Sequence, residues 1–150
     1  MARMIFVNLP VGDLERAIAF YRAIGAEQNA QFSDDTAACM VLSETIQVML
    51  LTHGKFAQFT PKPIADAHKV SEVLLCISCD SRAGVDTITE AALAAGGREP
   101  RKAEDHGFMY SRSFEDPDGH MWEPMWMDMA ALGDTDAAEA AGQAAASCAA

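Results

Sequence analysis

The chain has 150 residues, half of them apolar, which is enough for one domain with a real core and argues against a second. Its net charge of −11 excludes a surface built for nucleic-acid phosphates or anionic lipid. No apolar run approaches the ~20 residues a membrane helix requires, and the opening Met1-Ala2-Arg3-Met4-Ile5 lacks a signal-peptide pattern, so the expectation is a cytoplasmic protein with neither nucleic-acid nor membrane partners.

In chain order, Met4 to Leu9 reads as a strand, and Asp13 caps a helix whose apolar positions Leu14, Ala17, Ile18, Tyr21 and Ile24 recur at helical spacing up to Gly25. Short strands follow near Gln28 to Phe32, Thr36 to Leu42 and Ile46 to Thr52. Residues 53–71 contain Gly54, Pro61 and Pro63 and predict a long connection with one helical turn, of the kind that serves as a lid or as an arm to a partner subunit. His53 and His68 lie near its two ends, and exposed polar loop residues are the default reading for both. The order then repeats: a strand from Glu72 to Cys79, a cap at Asp80 or Ser81, and a helix through Val85, Ile88, Ala92 and Leu93 that stops at Gly96-Gly97. Strands near Arg98 to Lys102, Phe108 to Phe114 and His120 to Met127 complete the second half.

Overlaying Gly25-Ala26-Glu27 on Gly97-Arg98-Glu99 suggests a duplicated βαβββ unit, with modules at about 3–52 and 72–127 in one domain, 1–127. Residues 128–150 carry four acidic side chains, no basic ones and many alanines, and read as a poorly ordered tail without an apolar stripe. The cysteines, Cys39, Cys76, Cys79 and Cys148, read as buried small hydrophobes. The pair Cys76 and Cys79, three apart on a strand, points to opposite faces and does not make a redox motif.

The densest chemistry lies in Phe114-Glu115-Asp116-Pro117-Asp118-Gly119-His120-Met121-Trp122-Glu123. Pro117 and Gly119 set a tight turn, and Asp116 and Asp118 can bond nearby amides. The strand beyond puts Met121, Glu123, Met125 and Met127 on one face and His120, Trp122, Pro124 and Trp126 on the other, so His120 is excluded as a co-ligand of Glu123. A carboxylate among thioethers needs a partner. Glu123 is therefore the first candidate catalytic residue: burial could raise its pKa for acid or base work, its charge could anchor a cationic or hydroxyl-bearing ligand, or it could be a framework residue bonded to an amide, to Tyr110 or to Arg112. Tyr110 could offer its hydroxyl as a proton donor, and His106 beside Asp105 could be oriented as a catalytic ring or be a solvated loop residue. Arg112 shares the face of Tyr110 and could bind a carboxylate or pair with Glu115 or Glu123. Trp122 and Trp126 are expected to pack beneath a helix.

A strand leading into Val11-Gly12-Asp13-Leu14-Glu15-Arg16-Ala17-Ile18-Ala19-Phe20-Tyr21, a second helix ending at Gly96-Gly97, and Asp116-Pro117-Asp118-Gly119 with Glu123 downstream resemble the vicinal oxygen chelate superfamily. That group holds glyoxalases, bleomycin- and fosfomycin-resistance proteins and extradiol dioxygenases. The segment from Asp105 to Tyr110, with Trp122-Glu123 and Met125 to Asp128, looks most like the branch labelled predicted lactoylglutathione lyase. The resemblance implies an α+β fold: two tandem βαβββ modules forming a curled mixed sheet with a concave cup, helices on the convex side, and a homodimer. It also implies four cup residues holding a divalent metal that acts as a Lewis acid.

Carried onto this chain, the four ligand positions fall on Phe6, near Leu50, near Leu74 and on Glu123, so only one is a metal donor. Met49 and Leu51 flank the second position and offer no better donor. The expectation is an apolar cup formed by Phe6, Asn8, Leu50, Leu74, Met121 and Met125, with Arg112 as a further ligand-binding residue, that takes a small organic molecule without the usual metal tetrad. The alternative is a divalent-metal lyase or dioxygenase with an atypical set, Glu123 with Glu72 or His106. A scaffold whose cup is filled by its own side chains is the third reading.

Overall fold

The computed structural model describes residues 1–131, so residues 132–150, most of the expected tail, lie outside the described residues. The fold is α+β, with two mixed sheets and a helix against each.

The first sheet has the order β1, β4, β3, β2, with β1 at Ile5–Val11, β2 at Glu27–Asn29, β3 at Ala37–Val41 and β4 at Ile46–Thr52. β1 runs parallel to β4, and the remaining pairs are antiparallel. Helix α1 (Leu14–Ala23) begins at Asp13, whose side chain accepts from the Arg16 amide, as its capping chemistry predicts. The expected strand of residues 28–32 is cut short, because Asn29 bonds the Gln31 amide and turns 30–32 into a single 3₁₀ turn.

Residues 53–74 then cross the molecule as a strap, opening with the single helical turn α2 (His53–Phe56) capped by Thr52. The second sheet has β5 (Leu75–Ser78), β9 (Met121–Met127), β7 (Met109–Ser111) and β6 (Glu104–Asp105) in that order, and β8 (Phe114–Glu115) also pairs with β9. Here too the first strand is parallel to the last. Helix α3 (Arg82–Ala94) starts at Ser81, whose hydroxyl accepts from the Gly84 amide.

One expected strand is missing. Between Arg98 and Lys102 only Arg98 joins the ladder, as a bridge to Glu115, because Pro100 has no amide to give and the chain turns away. Among the described residues no helix is long and apolar enough to cross a membrane.

The core joins the two halves. Leu9, Val11, Met40, Val48 and Leu50 pack with Ala17, Phe20 and Tyr21 of α1, and Ala92, Phe114 and Trp122 extend this cluster into the second half. Gly97 sits at that junction, where an added Cβ would lie 2.7 Å from the Glu115 carbonyl oxygen and 3.1 Å from the Phe20 ring.

The Asp116 to Gly119 turn clasps the halves by hydrogen bonds. Asp116 Oδ1 accepts from the amides of Asp118 and His120, both at 2.9 Å, closing the turn. Its Oδ2 accepts from the Tyr21 hydroxyl at 2.8 Å, and the Trp122 indole donates to the same Tyr21 oxygen at 3.0 Å. Burial pushes the Tyr21 phenol well above its ordinary value, with Asp116 adding to the rise, so it remains a donor. Burial also raises the Asp116 carboxyl. Asp118 reaches further, accepting from the Gly12 amide at 2.8 Å and from Arg16.

No disulfide joins Cys39, Cys76 and Cys79. Cys39 is buried, but Cys76 is exposed, which corrects its reading as a core residue: β5 lies at the sheet edge and turns Cys76 away from α3.

Candidate functional site

Strand alternation divides the second sheet into two faces with different chemistry. On the face away from α3, Glu123 is registered with Cys76 of β5. Ser111 faces Met125 and Phe114 faces Trp122, and the Arg112 amide bonds the Pro124 carbonyl, so Ser113 stands opposite Glu123. The Ser113 hydroxyl is fully buried and has no hydrogen-bond partner among the described residues. The partner of Glu123 is Arg101, whose Nη2 lies 2.6 Å from Oε1. Arg101 also bonds Glu104, and Glu104 Oε2 lies 3.5 Å from His106 Nε2. His106 thus joins the Glu123 cluster through two residues that sequence reasoning did not single out. Asp105 does not orient it, because Asp105 forms a two-pronged bond with Arg82 that lowers its carboxyl to about 2.

Tyr110 and Arg112 lie on the opposite face from Glu123, against α3. The Tyr110 hydroxyl donates to Asp86 at 2.8 Å, and that bond, with burial, raises the phenol. Arg112 forms a fork with Glu99, at 2.9 Å on both arms, and also reaches Glu90 and Asp86. The two residues share a face as expected, but it is not the face of the expected cup, and Arg112 pairs with neither Glu115 nor Glu123. Glu115 pairs instead with Arg98.

The apolar cup residues also separate. Leu50 is fully buried in the core beneath α1, so at the second ligand position Met49 and Leu51 point to the opposite face. Phe6 and Leu74 are half exposed, at 52% and 50%. Met125 lies beside Ser111 and Ser78 on the Glu123 face. Asn8 and Met121 do come together, in a cleft of about 420 Å³.

This cleft lies between the ends of the two sheets, under the strap. Asn8 and Pro10 of β1 form one wall, and Gly119, His120 and Met121 form another. The strap covers them with Phe56, Lys62, Ile64 and Val73, and brings Glu72 to the rim. The strap is held close: a Cβ on Gly119 would lie 2.7 Å from the His68 amide nitrogen, and Gly119 also has φ +89°. Only glycine allows both that backbone angle and that approach. The Met121 position sits two residues along β9 from Glu123 on the same face, roughly 7 Å away at ordinary strand rise, and Glu123 itself does not line the cleft.

His120 was excluded as a partner of Glu123 by alternation, and it does stand apart from that residue. It nevertheless lines the cleft, because it precedes the strand and meets β1 end on, with Nε2 2.7 Å from the Pro10 carbonyl oxygen. The signal that could have found it was the long proline-bearing strap, which needs a surface to cover.

A divalent metal does not fit these residues. Glu123 is engaged by Arg101, Glu72 lies at the cleft rim, and His106 is paired with Glu104. The orphaned Ser113 hydroxyl brings no charge. Among the described residues no three His, Cys, Asp or Glu side chains converge closely enough to hold an ion.

Residues 3–123 match the family model of the Glyoxalase/Bleomycin resistance protein/Dioxygenase superfamily, and the chain belongs to that superfamily. Its fold is similar to that of a hypothetical protein, SA1046, from S. aureus, with a TM-score of 0.70 at 22% identity over 84% of this chain and 94% of that one. A glyoxalase/bleomycin resistance protein/dioxygenase family enzyme from Burkholderia phytofirmans PsJN gives a TM-score of 0.69 at 18% identity, over 84% and 99%. A glyoxalase-related enzyme from Fulvimarina pelagi gives 0.70 at 20%, over 84% and 88%. No curated protein matches the sequence.

Proposed function

We propose that this chain is a small-molecule-binding member of its superfamily that works in the cytoplasm and takes an organic ligand in the cleft beneath the strap, without a metal tetrad. The observation that carries this reading is the cleft itself: about 420 Å³, walled by Pro10, Phe56, Ile64, Val73 and Met121, with a few polar groups placed among them. That size and composition suit a ligand whose body is apolar and whose orientation is fixed by Asn8, Lys62 or His120. Met121 adapts to irregular shapes.

Glu123 supports the site from beside it. Paired with Arg101, it is a carboxylate already matched by a cation, two residues along the same strand face from the cleft residue Met121. The metal-dependent alternative requires that pair to break.

Native mass spectrometry and elemental analysis of the purified protein test the reading together. The expected result is an organic adduct that Met121→Arg abolishes and Glu123→Gln retains, with divalent metal well below one per chain. Stoichiometric metal lost on Glu123→Ala would overturn it in favour of the metal enzyme. We propose in addition that the chain works as a homodimer, which the exposed apolar side chains of Ile5, Phe6 and Leu74 support. Light scattering behind size exclusion is expected to give twice the chain mass, and a monomer at high concentration would contradict it.

A further inference from the structure

His120 lines the cleft, and its ring has a hydrogen-bonding role dictated by its neighbour. Nε2 lies 2.7 Å from the Pro10 carbonyl oxygen, and a carbonyl can only accept. In the neutral ring the proton therefore sits on Nε2, and Nδ1 carries the lone pair. No donor among the described residues meets Nδ1. Asp116 is near the ring electrostatically, but its two oxygens already hold the amides of Asp118 and His120 and the Tyr21 hydroxyl. Asp116 holds the backbone at His120, and Pro10 holds the ring.

We infer that His120 acts as the acceptor of the cleft and selects ligands that carry an O–H or N–H donor on an apolar body of one or two rings. The inference rests on the cleft being the ligand site. The donor would meet Nδ1 while the body lies against Pro10, Phe56 and Met121. A partly enclosed acceptor left without a donor is penalised, so an isostere lacking the N–H binds more weakly by about three- to tenfold.

Indole and benzothiophene are a suitable probe pair, alike in shape and differing in the N–H. Nitrogen NMR of the neutral histidine rings in the free protein is expected to place the His120 proton on Nε2. Methionine-methyl NMR titrations are expected to shift Met121 with both probes and to give indole the three- to tenfold advantage. His120→Met removes the Nδ1 acceptor without supplying another strong one, and is expected to bring the two affinities together. A proton on Nδ1, or equal affinities in the native protein, overturns the inference and leaves the cleft reading standing; neither result depends on the variant folding. If neither probe moves Met121, the cleft reading falls and takes this inference with it.

Discussion

The two sheets are fastened to their helices by different forces. Beneath α1 the contact is apolar: Leu9, Met40, Val48 and Leu50 meet Ala17, Phe20 and Tyr21, all buried. Against α3 the buried apolar layer thins to Val85, Ala92, Phe114 and Trp122, and an ionic layer continues it through Tyr110 and Arg112 to Asp86, Glu90 and Glu99. Apolar burial supplies stability without direction, whereas the Arg112 fork fixes an orientation. That fixing has a consequence across the sheet. Glu99, held by Arg112, opens the short segment that carries Arg101 round to Glu123 on the other face.

The contrast can be broken most forcefully on the apolar side. Leu50→Ala should cost about 2–5 kcal/mol in urea unfolding, because a fully buried side chain leaves a cavity in the joint cluster. Arg112→Met should cost about 1–3 kcal/mol, less than Leu50→Ala because its carboxylate partners are partly solvated, and unlike that loss it should shrink in high salt. Gly119→Ala should cost about 1–2 kcal/mol from the left-handed backbone angle, and limited proteolysis should then cut the strap faster, since the new methyl group displaces residues 67 and 68.

The smallest effect is the sharpest in sign. Asp105 is lowered from 3.8 to about 2 by Arg82, so its contribution is present above pH 3.8 and lost as pH falls through about 2. Carbon NMR of Arg82→Met should show the Asp105 carboxyl returning toward 3.8, with little change in stability at neutral pH because the pair is solvent-exposed.

The fold was legible in the sequence because its signals are local. Asp13 and Ser81 cap where their side chains can reach an amide, and apolar spacing marks α1 and α3. The strand expected at 98–102, which does not form, also has a local cause in Pro100. The site was less legible, because its partners are set by which strands adjoin. Glu123 was found by its apolar face, but Arg101 lies 22 residues earlier in a loop that no pattern tied to β9. Period-two alternation correctly separated His120 from Glu123, yet it could not show that the strap and β1 would enclose His120 from the strand's end. Leu50, expected in the cup, lies on the buried α1 face, because alternation along β4 turns it away from the face of its neighbours Met49 and Leu51.

The central claim is that ligand binds under the strap, against Met121, and not farther along the strand beside Met125. Met121 and Met125 lie on the same strand and face, one lining the cleft and the other four residues away beside Ser111 and Ser78. A methyl NMR titration with indole reads both at once: the account requires a saturable shift at Met121 with Met125 nearly still, and a shift centred on Met125 with Met121 unmoved would contradict it.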